Sequence, residues 1–202
     1  MTDGLRAQIM KLPPAAKVID LGCGDMKLLM EIAQMRPDLQ LHGVDIGNLP
    51  QNAGSLRFTN ADVTTFAADT EYQLALAIDI LEHLPRPELL VNTAWKALGA
   101  GGLFYTSVPN VTKLLLFGDA NFFSDYSHIR PFNCKSMTRL MHDHGFAVQS
   151  TAAIGHGKKS VLKLGYYLAR GLLTQNEAYL NGVIMMIGGN AIETVALKNS
   201  DK

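Results

Sequence analysis

The chain has 202 residues, with 18 Lys+Arg against 18 Asp+Glu and a formal net charge of +0. At 48% hydrophobic and 18% charged residues it can build a sizeable core and does not have the composition of a disordered chain. The charge balance argues against a dedicated nucleic-acid binder, which needs excess Lys and Arg to neutralise phosphates, and no apolar run approaches the roughly 20 residues of a membrane-spanning helix.

In chain order, residues 1–16 hold no apolar segment behind a basic start, so no cleaved signal peptide is expected and the cytoplasm is the expected location. Cys23 and Cys134 stand far apart without a C-x-x-C partner and are expected as reduced thiols. Residues 17–21 (KVIDL), 41–46 (LHGVDI), 57–62 (RFTNAD), 72–79 (YQLALAID) and 102–108 (GLFYTSV) read as strands, apolar on both faces as in a buried parallel sheet. Helical spacing falls between them at 26–35 and 88–98, the latter between Pro85, Pro87 and Gly99. A loop rich in aromatics follows at 110–131, then a helix at about 135–144, a strand at 146–153, a break at 155–157, a basic amphipathic helix at 158–173, a long connection and a last strand at 191–198. The expected fold is α/β: a doubly wound, mostly parallel sheet closed by an antiparallel pair at its C-terminal edge.

The segment VIDLGCGDM (residues 18–26) runs a strand into a glycine-rich turn and a helix. Gly22 and Gly24 let backbone approach a ligand that a Cβ would block. Lys27 occupies the third glycine position of the dinucleotide fingerprint, and Asp25 puts a carboxylate where a pyrophosphate would sit, which disfavours a nicotinamide-dependent oxidoreductase. Asp20, Asp45, Asp62 and Asp79 each fall at the carboxyl end of a predicted strand, the edge where open α/β sheets bind ligands. Converging acceptors suit ribose hydroxyls, an exocyclic amine and an ammonium group.

Over about residues 17–146 the chain resembles the class I S-adenosylmethionine-dependent methyltransferases. V-I-D-L-G-C-G is similar to the family's first motif, G-V-D-I to the second, N-A-D-V to the third, A-I-D-I-L-E-H-L to the fourth and G-G-L-F-Y-T-S-V-P-N to the fifth strand. The resemblance implies a Rossmann-like fold and S-adenosyl-L-methionine as cofactor. Gly22 and Gly24 would line its methionine end, Asp45 would bind the ribose hydroxyls, Asp62 with Val63 would face the adenine, Asp79, Ile80 and Leu81 would floor the site, and Asp20, Cys23 and Ile46 are further candidate cofactor contacts. The family usually has a third glycine where this chain has Met26, whose side chain either turns away or narrows the cofactor site.

Two histidines are candidate catalytic bases. His83 follows the fourth strand. His128 lies in DYSHIRPF (residues 125–132), which resembles the H-x-R-x-F segment over the acceptor site of small-molecule and glycan methyltransferases. Arg130 could hold an acidic acceptor or, with His128, simply pin the loop. No metal is expected, although Asp79, Glu82 and His83 resemble the region that holds a divalent metal in ubiquinone-biosynthesis O-methyltransferases. Phe117, Phe122, Phe123 and Tyr126 are expected to form the loop's own small core, with an apolar lid as the alternative, and Trp95 is expected in the core. The basic helix at 158–173 is expected to cover a sheet face or a homodimer partner, with peripheral contact to an anionic membrane as the alternative.

The whole reading is a single domain over 1–202, with its core at 17–155 and 191–198, methylating a hydroxyl of a small molecule: a quinone-type ring, a sugar or a lipid-linked precursor. Acceptor choice is then expected to come from 110–131 and 156–190, or from a partner. The rival reading is a non-catalytic cofactor-binding or regulatory protein on the same fold.

Overall fold

The computed structural model describes residues 1–48, 54, 56–154 and 161–199. The break expected at 155–157, and Lys158 and Lys159, lie outside the described residues. Seven strands, β1 (Lys17–Leu21), β2 (Gln40–Asp45), β3 (Arg57–Asn60), β4 (Tyr72–Ile78), β5 (Leu98–Pro109), β6 (Phe146–Ile154) and β7 (Ala191–Lys198), form one sheet in the order β3-β2-β1-β4-β5-β7-β6. β1 to β5 pair in parallel, while β7 runs antiparallel to both β5 and β6, the closing edge the sequence suggests.

Alternation along each strand divides the core between the two faces. Val18, Leu74, Leu76 and Tyr105 pack with helices α1 (Asp3–Lys11) and α2 (Lys27–Met35). Ile19, Leu21, Ala75 and Ala77 pack with α3 (Pro87–Ala97) and α4 (Cys134–Asp143). Trp95 joins the second face as expected, edge-on to Phe146 with ring centroids 4.9 Å apart. Chain order reverses between β1 and β4, so the loops after those strands diverge and leave a crevice at the carboxyl edge.

Helix α1 lies where the sequence reading placed no element. Thr2 caps it by accepting the Leu5 N–H at 3.2 Å, and Leu5 and Ile9, four residues apart, are its buried face. The long connection before β7 contains another helix, α6 (Glu177–Gly188), which pairs with α5 (Val161–Thr174) as a helical hairpin. The expectation that this basic helix covers a sheet face is corrected: α5 packs on α6, with Leu180 over Gly171 and Tyr167 over Gly182, and most of its other side chains are exposed. Among the described residues no helix is long and apolar enough to cross a membrane.

Candidate active site

The turn after β1 is built around Gly22, at φ +90°, where an added Cβ would lie 2.9 Å from Ile80 Cγ1. Only glycine meets both conditions. The loop is tied to β2 by its backbone: Gly22 and Cys23 donate to the Val44 carbonyl at 2.8 and 3.2 Å, and Gly24 N–H donates to Asp45 Oδ2 at 2.9 Å. Asp45 Oδ1 accepts the Gly47 N–H at 2.8 Å, so this carboxylate shapes two turns and keeps lone pairs for a ligand. Asp62 caps its own turn through Thr64 N–H and Oγ, which holds its carboxyl below the usual range.

Met26 has φ +59°, the backbone a glycine favours, yet its side chain is fully buried in the α1/α2 core with Leu29 and Ile32. It turns away from the crevice. Asp25 stands at the α2 N-terminus as expected and accepts the Lys27 N–H at 3.2 Å.

Gly22, Asp45, Ile46, Asp62, Val63 and Ile80 line one cavity of about 510 Å³. Its other walls are Thr64, Leu84, Pro85, Arg86 and Leu89; the sequence marked Leu84 as the end of the fourth motif and Pro85 as a helix boundary, without assigning any of these residues to the site. Asp79 opens instead into a second cavity of about 530 Å³, together with Thr2, Lys27, Tyr105 and Ser107. Leu81 is wholly buried in the core and Cys23 nearly so, the latter against Gly43. Burial, and then the neighbouring Asp45, push the Asp20 carboxyl up to about 7. Its Oδ1 has no hydrogen-bond partner among the described residues.

A polar cluster lies beyond β4. Asp79 itself takes φ +49°, and a 3-10 turn over Leu81–His83 follows, so the helical i, i+3, i+4 stacking of Asp79, Glu82 and His83 does not form. Glu82 and His83 meet His128 instead. The Glu82 carbonyl accepts the N–H groups of Ile129 and Arg130 at 3.0 and 3.1 Å, and Arg130 Nη2 donates to the Pro85 carbonyl at 2.9 Å, so Arg130 pins the loop. The His83 and His128 rings lie 4.7 Å apart.

Partners fix both tautomers. The Phe122 carbonyl can only accept, so His128 Nδ1, 2.8 Å away, carries a proton, and Nε2 faces Glu82 Oε1 at 4.0 Å and Asp125 Oδ2 at 3.8 Å. The Ser127 hydroxyl proton is committed to Asp125 Oδ1 at 2.6 Å, so Ser127 Oγ accepts from His83 Nδ1 at 2.9 Å and leaves Nε2 with its lone pair. The Glu82 side chain is fully buried, with neither oxygen hydrogen-bonded among the described residues, and burial pushes its carboxyl up to about 8. One ligand atom each from Glu82, His83 and His128 lies within 4.8 Å of the others, a set able to hold a metal ion.

Residues 1–151 match a family model described as "Methyltransferase domain". The chain belongs to that family. A ubiquinone biosynthesis O-methyltransferase from Psychrobacter cryohalolentis is 29% identical over 107 residues, 46% of this chain and 41% of the relative. A trans-aconitate 2-methyltransferase from Variovorax paradoxus is 30% identical over 105 residues, 49% of this chain and 40% of the relative. The chain thus matches about two-fifths of the length of these curated relatives. The crystal structure of a SAM-dependent methyltransferase from Archaeoglobus fulgidus superposes with a TM-score of 0.67 at 20% identity, covering 96% of this chain and 91% of that one.

The cofactor of this methyltransferase class is S-adenosylmethionine, and the crevice fits it. Asp20, two residues before Gly22, is a buried carboxylate with one oxygen unpartnered among the described residues, suited to a cationic ligand. Gly22 keeps the loop free of a Cβ, and the cavity offers Asp45 and Asp62 beside the apolar Val63, Ile80 and Leu89.

Proposed function

We propose that this methyltransferase transfers a methyl group to a hydroxyl of a small molecule, a quinone-type ring, a sugar or a lipid-linked precursor, with His83 as the base. S-adenosylmethionine, when bound, supplies a methyl group on a sulfonium, open to in-line attack. The chain's part is alignment and proton removal. Gly22, Cys23 and Gly24, with Asp20, hold the methionine end, Asp45 and Ile46 the ribose, Asp62 and Val63 the adenine, and Ile80 the floor, while Asp79 faces the second cavity.

The observation that carries the base assignment is the Asp125–Ser127–His83 chain. It holds the imidazole in the tautomer whose Nε2 accepts a proton, and Asp125 sits behind the hydroxyl where positive charge develops on the ring. His83→Ala is expected to lower kcat about 10²–10⁴-fold while cofactor affinity, measured by calorimetry, stays unchanged. Unchanged turnover would remove His83 as the base, and cofactor binding without turnover across an acceptor panel would favour the regulatory reading.

The Glu82 oxygens, which accept no hydrogen bond among the described residues, support a second reading, in which Glu82, His83 and His128 would hold a divalent cation that lowers the pKa of the acceptor hydroxyl. Chelation that abolishes turnover, reversed by adding back Mg²⁺, Mn²⁺ or Zn²⁺, would favour it over the base reading.

A further inference from the structure

Helix α5 presents an uncovered apolar face. Tyr167 and Gly171, four residues apart, close against Gly182 and Leu180 of α6. On the remaining surface Tyr166, Leu168, Leu172 and Leu173 are exposed, Leu172 by 69% and Leu173 by 82%, and Ile187 of α6 is exposed by 65%. Such concentration on one hairpin marks an interaction surface rather than the scatter of single apolar residues normal on a protein exterior.

The charge of α5 identifies the occupant. Its sequence, VLKLGYYLARGLLT, contains Lys163 and Arg170 and no acidic residue, and Lys158 and Lys159 precede it in the chain. Lys163 lies over the Tyr167 ring and Arg170 over that of Tyr179, each 5.6 Å from the centroid. Long cationic stems on aromatic bodies let the charged ends reach polar headgroups while leucines enter the acyl boundary. In an isologous contact, a second copy placing hairpin against hairpin would bring the same cations together, with Glu177 of α6 as the single acidic residue of the two helices to answer them. An anionic lipid surface supplies both the apolar sink and the opposite charge.

We propose that the α5–α6 hairpin docks this methyltransferase peripherally on an anionic lipid bilayer. The hairpin is tied to the loop that carries the polar cluster. Asn181 accepts the Phe117 N–H at 2.8 Å and donates to its carbonyl at 3.0 Å, and Asn110 Nδ2 donates to the Gly188 carbonyl at 2.7 Å. Docking would therefore bring the loop between β5 and α4 to the membrane surface.

Co-sedimentation with phosphatidylcholine vesicles, and with vesicles in which roughly a third of the lipid is phosphatidylglycerol, tests this. The full chain is expected to pellet with the anionic vesicles only, less as salt rises. The exposed-site double variant L172D/L173D, its fold checked by thermal melting and cofactor binding, is expected to stay in the supernatant. R170Q is expected to weaken binding about fivefold. Failure of the full chain to pellet with anionic vesicles, equal binding to neutral ones, or undiminished binding by L172D/L173D would each overturn the proposal. So would a dimer in solution that L172D/L173D dissociates while vesicles capture nothing.

Discussion

At the scale of single residues, Asp20 and Met26 occupy positions that elementary rules disfavour. A carboxylate buried without a partner on one oxygen is costly when ionised, and the raised pKa, about 7, expresses that cost. A cationic cofactor prefers the ionised form, so its affinity should rise with pH by up to tenfold per unit below about 7 and level off above. Calorimetry at several pH values, in buffers of different ionisation enthalpy, should also detect a proton released on binding at low pH. A pH-independent affinity would sink the assignment. The stability linkage has the opposite slope. A folded pKa raised above its unfolded value contributes stability below about 4 that is lost as pH rises through about 7, so Asp20→Asn should gain on the native chain in thermal melts between those limits. Met26 holds a left-handed conformation costing about 1–2 kcal/mol, sustained by complete burial of its side chain. Met26→Ala is expected to lose about 2–5 kcal/mol in denaturant unfolding and, because the side chain faces the core, to bind cofactor with unchanged affinity.

At the scale of elements, the polar cluster depends on how the loop between β5 and α4 is held. Asn181, reaching across from α6, satisfies both the N–H and the carbonyl of Phe117. Asn181→Ala would leave those groups to find water or go unpaired, a cost of about 1–3 kcal/mol. The expected result is faster amide hydrogen exchange over residues 111–131 and a raised KM for the acceptor, with cofactor affinity unchanged. An unaltered acceptor KM would place the loop's support elsewhere. This contact was not legible in the sequence, because it joins residues 64 positions apart. Helix α6 was hidden for a related reason: EAYLNGVIMMIG is apolar on nearly every side and has no clear stripe, so packing against α5 and the Asn176 cap specify it. Within the aromatic loop, Phe122 alone of the four rings is buried, beside His128, while Phe117, Phe123 and Tyr126 remain exposed. The expected small core is thus a single ring, and the lid reading rests on the other three.

At the scale of the whole molecule, the sheet order explains why distant motifs meet. The reversal of direction between β1 and β4 parts the loops after these strands, and the chain places Gly22 after one and Asp79 and Ile80 after the other. The sequence alone determined the strand–turn–helix alternation, the antiparallel edge and the cofactor motifs, because each depends on local spacing: two-residue alternation, glycine freedom and carboxylates at strand ends. Tertiary structure decided that Met26 turns inward, that Glu82 joins His128 rather than Asp79, and that α5 packs on α6 instead of on the sheet. Those outcomes depend on backbone direction after a strand and on contacts between residues far apart in sequence, which pattern along the chain does not encode.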